Sequence, residues 1–99
     1  MPYRIVFSPE AQSNLRGLTA RNRAIVLDDV EQQLSHQPTV ETRNRKPLRP
    51  NELAKWSLRI GDLRVYYEVD DEPVSVVHVR AVGVKQGNQV FIDNQEVKP

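Results

Sequence analysis

No cysteine occurs among the 99 residues, which excludes a disulfide frame and a thiolate metal site. Long apolar runs are also missing. The opening MPYRIVFSPE reads as neither a signal peptide nor a membrane span, so a cytoplasmic location with no membrane partner is expected. No glycine-rich phosphate loop, nucleophile elbow or metal-ligand spacing is present, and no cofactor or metal is expected. Excess charge is scarce too: the net value is +1, which alone gives a polyanion little to bind. Ninety-nine residues suffice for one domain with a single core, expected to span 1–99.

Charge is present, but unevenly placed. Between Arg43 and Arg64 stand seven basic and two acidic residues, a local net of +5. From Tyr66 onward acids dominate, with Glu68, Asp70, Asp71 and Glu72. This asymmetry predicts one basic face able to meet a nucleic acid. Asp70-Asp71-Glu72 lies in a tight turn where consecutive side chains diverge, so it reads as a solvated turn.

YRIVF at 3–7 predicts a short strand. Ser8-Pro9-Glu10 then supplies a serine cap, proline at the first helical position and an acid in the first turn. Ala11, Leu15 and Leu18 follow on one helical face. A second helix from about Ala20 to His36 carries Val26, Leu27, Val30 and Leu34 as its apolar stripe, and Pro38 ends it. Residues 39–52, TVETRNRKPLRPNE, have little periodicity and read as a long loop, functional or mobile. VSVVHVRAV predicts a valine-rich strand, and VFI at 90–92 a last short one before a polar tail. The expected fold is α+β: two N-terminal helices on one face of a mainly antiparallel four- to five-stranded sheet, in the order β-α-α-β-β-β.

Within WSLRIGDLRVYYEV, Gly61-Asp62 is a two-residue turn between two alternating runs, the mark of a β-hairpin. Closing it there puts Ile60 opposite Leu63, Leu58 opposite Val65 and Trp56 opposite Tyr67 on one face. Lys55, Ser57, Arg59, Arg64 and Tyr66 then share the other, expected to be open, with Arg59 directly across from Arg64. Like charges directly opposite destabilise a strand pair. An anion between them reverses the sign, because a phosphate accepts several guanidinium hydrogen bonds at once. The pairing therefore predicts a phosphate or nucleic-acid site.

These residues also resemble a known family. The opening strand and SPEAQSNL helix, the KPL loop, LRIGDLRVYYEV and VSVVHVRAVGVKQGNQVFI are similar to the RelE/ParE superfamily of bacterial toxin–antitoxin toxins. The resemblance implies a RelE-like fold and, in the RelE branch, a ribosome-dependent, metal-independent mRNA endonuclease that inhibits translation. It implies a cognate antitoxin, the ribosome and mRNA as partners, and operator DNA only through the antitoxin complex. The resemblance equally covers ParE-type members, which share the fold, do not use the RNase residues and inhibit DNA gyrase. A third role would be a module acting mainly with its antitoxin on operator DNA.

Carried over by position, Arg64 matches the arginine that contacts the scissile phosphate, and Lys55 a lysine on the preceding strand. Lys85 stands where an arginine usually serves as general acid. Ser57 replaces a lysine often assigned as general base, and Phe91 a tyrosine that stacks on a base. Arg59 joins Arg64 at the phosphate. For the base, Lys55 beside the arginines and His78, whose imidazole titrates near neutrality, both stay open. Arg43, Arg45, Lys46, Arg49 and Phe91 complete the expected RNA-binding set.

Overall fold

A computed structural model describes residues 2–93 and 95–97. Strand β1 (Arg4–Phe7) leads into helix α1 (Pro9–Arg16) and helix α2 (Ala20–Leu34). The sheet continues with β2 (Arg45–Pro47), β3 (Trp56–Ile60), β4 (Leu63–Asp70), β5 (Val76–Gln86), β6 (Gln89–Ile92) and β7 (Gln95–Val97). Local chemistry sets the helix starts. Ser8 Oγ accepts from the Ala11 N–H at 3.1 Å, with Pro9 at the first turn, and Thr19 Oγ1 accepts from the Asn22 N–H at 3.1 Å. Both satisfy N–H groups that a helix leaves without partners.

Among the described residues the strands form one seven-stranded sheet in the order β2-β3-β4-β5-β6-β7, with β1 joined to it through β5. Strand β1 runs parallel to residues 76–79 of β5, and β6 runs antiparallel to residues 84–86. Since β4 occupies the other edge of β5, these two share one edge in succession. Two short strands thus extend the expected four to five: β2 inside the long loop, and β7 where a polar tail is expected. Position 94 and positions 98 and 99 of that tail lie outside the described residues.

Both helices pack on one face. Ala11, Leu15, Val26, Val30 and Leu34 meet Leu58, Val65, Tyr67, Val77 and Val79 in the main core. Leu27, expected in the stripe, is 44% exposed, because Val26, Val30 and Leu34 already span the face that meets the sheet. Asn14 is buried and ties α1 to the sheet: its Oδ1 accepts from the Val82 N–H at 3.0 Å, and its Nδ2 donates to Asp93 at 2.7 Å.

The opposite face is not fully open. Ala54, Tyr66 and Ala81 form a second cluster with Leu48, Leu53, Val90 and Ile92. Tyr66 is 2% exposed, a correction to its expected place on the open face. The loop at 48–54 folds over it, closed by Asn51, whose Oδ1 accepts from the N–H groups of Leu53 and Ala54. The register passes from Tyr66–Ala81 to Tyr67–Val79, so Arg80 is the extra residue of a bulge in β5, which bends that strand and deepens the local twist. Close approach also governs β5: a Cβ at Gly83 would lie 2.9 Å from the Phe91 carbonyl oxygen, too near for any side chain.

Candidate phosphate-binding groove

The hairpin forms with the register read from its turn. Trp56 pairs with Tyr67, Ser57 with Tyr66, Leu58 with Val65, Arg59 with Arg64 and Ile60 with Leu63. Gly61 takes φ 58°, a left-handed conformation that glycine adopts without a Cβ penalty. Trp56 stacks on Tyr67 on the helix side, with centroids 6.3 Å apart. The pleat therefore fixes Arg59 and Arg64 on the other side, at the turn end.

Two further segments converge on that end. Arg64 pairs with Gly83 across β4 and β5, which brings Lys85 alongside, and the Lys85 N–H donates to the Asp62 carbonyl at 2.6 Å. From the other edge comes the arm at 42–45. Thr42 Oγ1 accepts from the N–H groups of Asn44 and Arg45, and the Arg59 N–H donates to the Asn44 carbonyl at 2.8 Å. The result is an open groove of about 550 Å³ lined by Arg43, Asn44, Arg59, Gly61, Asp62, Arg64 and Lys85.

Its electrostatics are lopsided. The three ion pairs among the described residues lie elsewhere: Lys46 with Glu41, His78 with Asp70, and Arg80 with Glu68. Arg64 Nη1 donates to the carbonyls of Gly61 and Leu63 at 2.8 and 2.9 Å, which orients the guanidinium without neutralising it. Arg59 Nη2 donates to Asn44 Oδ1 at 3.4 Å, again a neutral partner. Partial burial lowers the Arg64 pKa from its ordinary value, with Arg59 adding to the shift and Tyr66 and Asp62 opposing it. A guanidinium stays charged through such a shift. Four cations from three segments thus face one groove, with Asp62 the carboxylate among its lining residues.

The groove unites Arg43, Arg59, Arg64 and Lys85 of the expected site. It leaves out the rest. Lys55 is exposed just before β3, four residues upstream of Arg59, roughly 13 Å along an extended chain. His78 bonds Asp70 at 3.1 Å; it lies five residues before Gly83 on β5, roughly 16 Å along the strand. Arg45 is 8% exposed, its Nη1 donating to the Gln33 carbonyl at 2.6 Å and its Nε to the Val40 carbonyl at 3.0 Å. It braces the arm and is not available to RNA. Lys46 pairs with Glu41 at 3.3 Å, and Arg49 is exposed in the loop that Asn51 closes.

Phe91 sits opposite Val84 in the ladder, whereas Lys85 sits opposite Val90. It therefore points to the helix side, into a crevice with Leu18, Val82 and Val84, and cannot stack on a base held in the groove. Two groove residues, Asn44 and Asp62, have no role in the sequence pattern. Asn44 stands within the basic run and Asp62 within the turn, so position was the available signal in both cases.

Comparison with known proteins shows the family and the fold. Residues 5–82 match a family model described as the ParE toxin of the type II toxin–antitoxin system parDE. Over 80 residues the chain is 36% identical to Toxin RelG of Mycobacterium tuberculosis, covering 81% of this chain and 88% of that protein. The crystal structure of the toxin–antitoxin complex RelBE2 from the same organism contains a chain of similar fold. It superposes with a TM-score of 0.70 at 30% identity, covering 86% of this chain and 100% of that one.

Proposed function

The chain belongs to the RelE/ParE superfamily and is a toxin of a type II toxin–antitoxin system; from that premise we propose that it is a ribosome-dependent mRNA endonuclease. The observation that carries this reading is the convergence of Arg43, Arg59, Arg64 and Lys85 on one groove, with none of the three ion pairs reaching it. A phosphodiester there would meet two guanidinium forks at its non-bridging oxygens, from Arg59 and Arg64. Lys85 would face the leaving 5′-oxygen and supply its proton. Negative charge building on the phosphoryl oxygens is then met by donors already in place, the arrangement that contributes most in such reactions. A cognate antitoxin inhibits the toxin, a reading supported by the structural match to a toxin–antitoxin complex.

The second reading is a ParE-type toxin that inhibits DNA gyrase without catalysis. The family model favours it, as does the distance of Lys55 and His78 from the groove. Incubation with a purified translation system decides between them. Message cut at ribosomes supports the endonuclease; intact message together with loss of gyrase supercoiling supports the rival.

Salt dependence gives a second check. Single-stranded RNA releases counterions with a log–log slope of about −0.7 per phosphate neutralised, so engagement of all four cations predicts a slope near −3. Arg43→Ala is expected to make it shallower by about 0.7. Fluorescence anisotropy of a labelled RNA oligonucleotide across a salt series measures both. A slope near zero for the parent would mean that the groove does not hold phosphates.

A further inference from the structure

Cleavage of RNA by its own 2′-hydroxyl needs a proton acceptor, and neither sequence-derived candidate lies in the groove. His78 is engaged with Asp70 at the far end of β5, and Lys55 precedes β3. Arginine cannot accept a proton there, since guanidinium stays charged in proteins. Lys85 must arrive protonated to act as the acid. Among the lining residues, one ionisable acceptor is left.

We infer that Asp62 is the general base of this site, an inference that rests on the endonuclease reading above. Asp62 lines the groove beside Arg64, and its carbonyl is held at 2.6 Å by the Lys85 N–H. The contact sets Asp62, in the turn, next to Lys85 on β5, and both residues line the same groove. The turn contributes a further condition. Gly61 takes the left-handed conformation at φ 58°, so the backbone geometry does not depend on the side chain that follows it. Asp62 is exposed and appears in no hydrogen bond or ion pair of the described residues that would give its carboxylate a structural duty.

The step balances without a further reactant. The carboxylate takes the 2′-hydroxyl proton as the 2′-oxygen forms a bond to phosphorus. The bond from phosphorus to the 5′-oxygen breaks, and that oxygen takes a proton from the Lys85 ammonium. The products are a 2′,3′-cyclic phosphate and a 5′-hydroxyl end, and solvent restores both side chains. Arg59 and Arg64 favour charge developing on the attacking oxygen as well as on the phosphate.

Asp62→Asn separates this role from that of a simple counter-ion, because the two predict opposite changes. Loss of a general base slows single-turnover cleavage of ribosome-bound message by about 10²–10⁴-fold. Loss of one negative charge among four cations tightens binding of an RNA oligonucleotide by roughly threefold. The expected result is a slower reaction on more tightly held RNA, with Asp62→Glu regaining part of the rate. Asparagine is well tolerated in turns, and thermal unfolding of each variant confirms that the hairpin is intact. A rate for Asp62→Asn equal to or above the parent's overturns the assignment while leaving the endonuclease reading standing. No cleavage by the parent in the same assay overturns both.

Discussion

Arg64→Ala is expected to abolish growth arrest while leaving the protein folded. Arg64 lines the groove with Lys85, across the hairpin from Arg59, and its Nη1 is held by two backbone carbonyls. Its removal takes away a donor aimed at charge that appears only in the transition state, a loss of roughly 3 kcal/mol or more. That corresponds to a rate about 150-fold lower. Stability should change little, because the bond to the Gly61 carbonyl is exposed, where water replaces the donor, and the part-buried bond to the Leu63 carbonyl is local, between neighbouring residues. Arg64→Lys should fall between, keeping the charge but losing the fork that binds two oxygens. Single-turnover cleavage at saturating ribosome, paired with a denaturant titration, separates the two effects. Undiminished toxicity in a folded Arg64→Ala variant would remove the groove from the mechanism.

The register behind that prediction was legible because alternation and turn chemistry agree. A Gly-Asp turn fixes the pairing, and a slip of one residue would expose Leu58 and Val65 and bury Arg59 and Arg64. The start of α1 was legible for a similar reason: Ser8 satisfies an N–H group within its own turn. Such signals are complete within a few residues. Whatever depends on which distant segment covers a surface is not.

Tyr66 shows the difference. By alternation it belongs with Arg59 and Arg64, and it does lie on their face. Whether that face is wet depends on the loop at 48–54, which Asn51 closes over it through a turn invisible to periodicity. Phe91 fails differently. Its aromatic character is right for stacking, but the pairing of β5 with β6 puts Phe91 opposite Val84 and away from Lys85. Residue type can suggest a role; the side of the sheet decides it. His78 could not be assigned from a run apolar on both sides, and the acid that claims it, Asp70, comes from the neighbouring strand.

Arg45 and Arg43, two residues apart in the same basic run, should respond to substitution in opposite ways. Arg45→Met is expected to destabilise the fold by about 2–4 kcal/mol, since each hydrogen bond from a charged donor contributes roughly 1.5–3 kcal/mol and the orphaned carbonyls lie partly buried. The acceptors are the Gln33 carbonyl near the end of α2 and the Val40 carbonyl in the arm. Methionine can fill the space of the aliphatic stem but reaches neither oxygen. In a domain of this size each kcal/mol lowers Tm by about 4–8 °C, so the loss is easily seen in a thermal scan. Arg43→Ala removes an exposed groove residue and should shift stability by no more than about 0.5 kcal/mol, yet it should weaken RNA binding. Arg45→Met also releases the arm that carries Arg43 and Asn44, so whatever affinity it loses should return when the arm is stabilised by lower temperature. A variant at Arg45 that melts like the parent but binds RNA poorly would return Arg45 to the groove and refute its role as the brace.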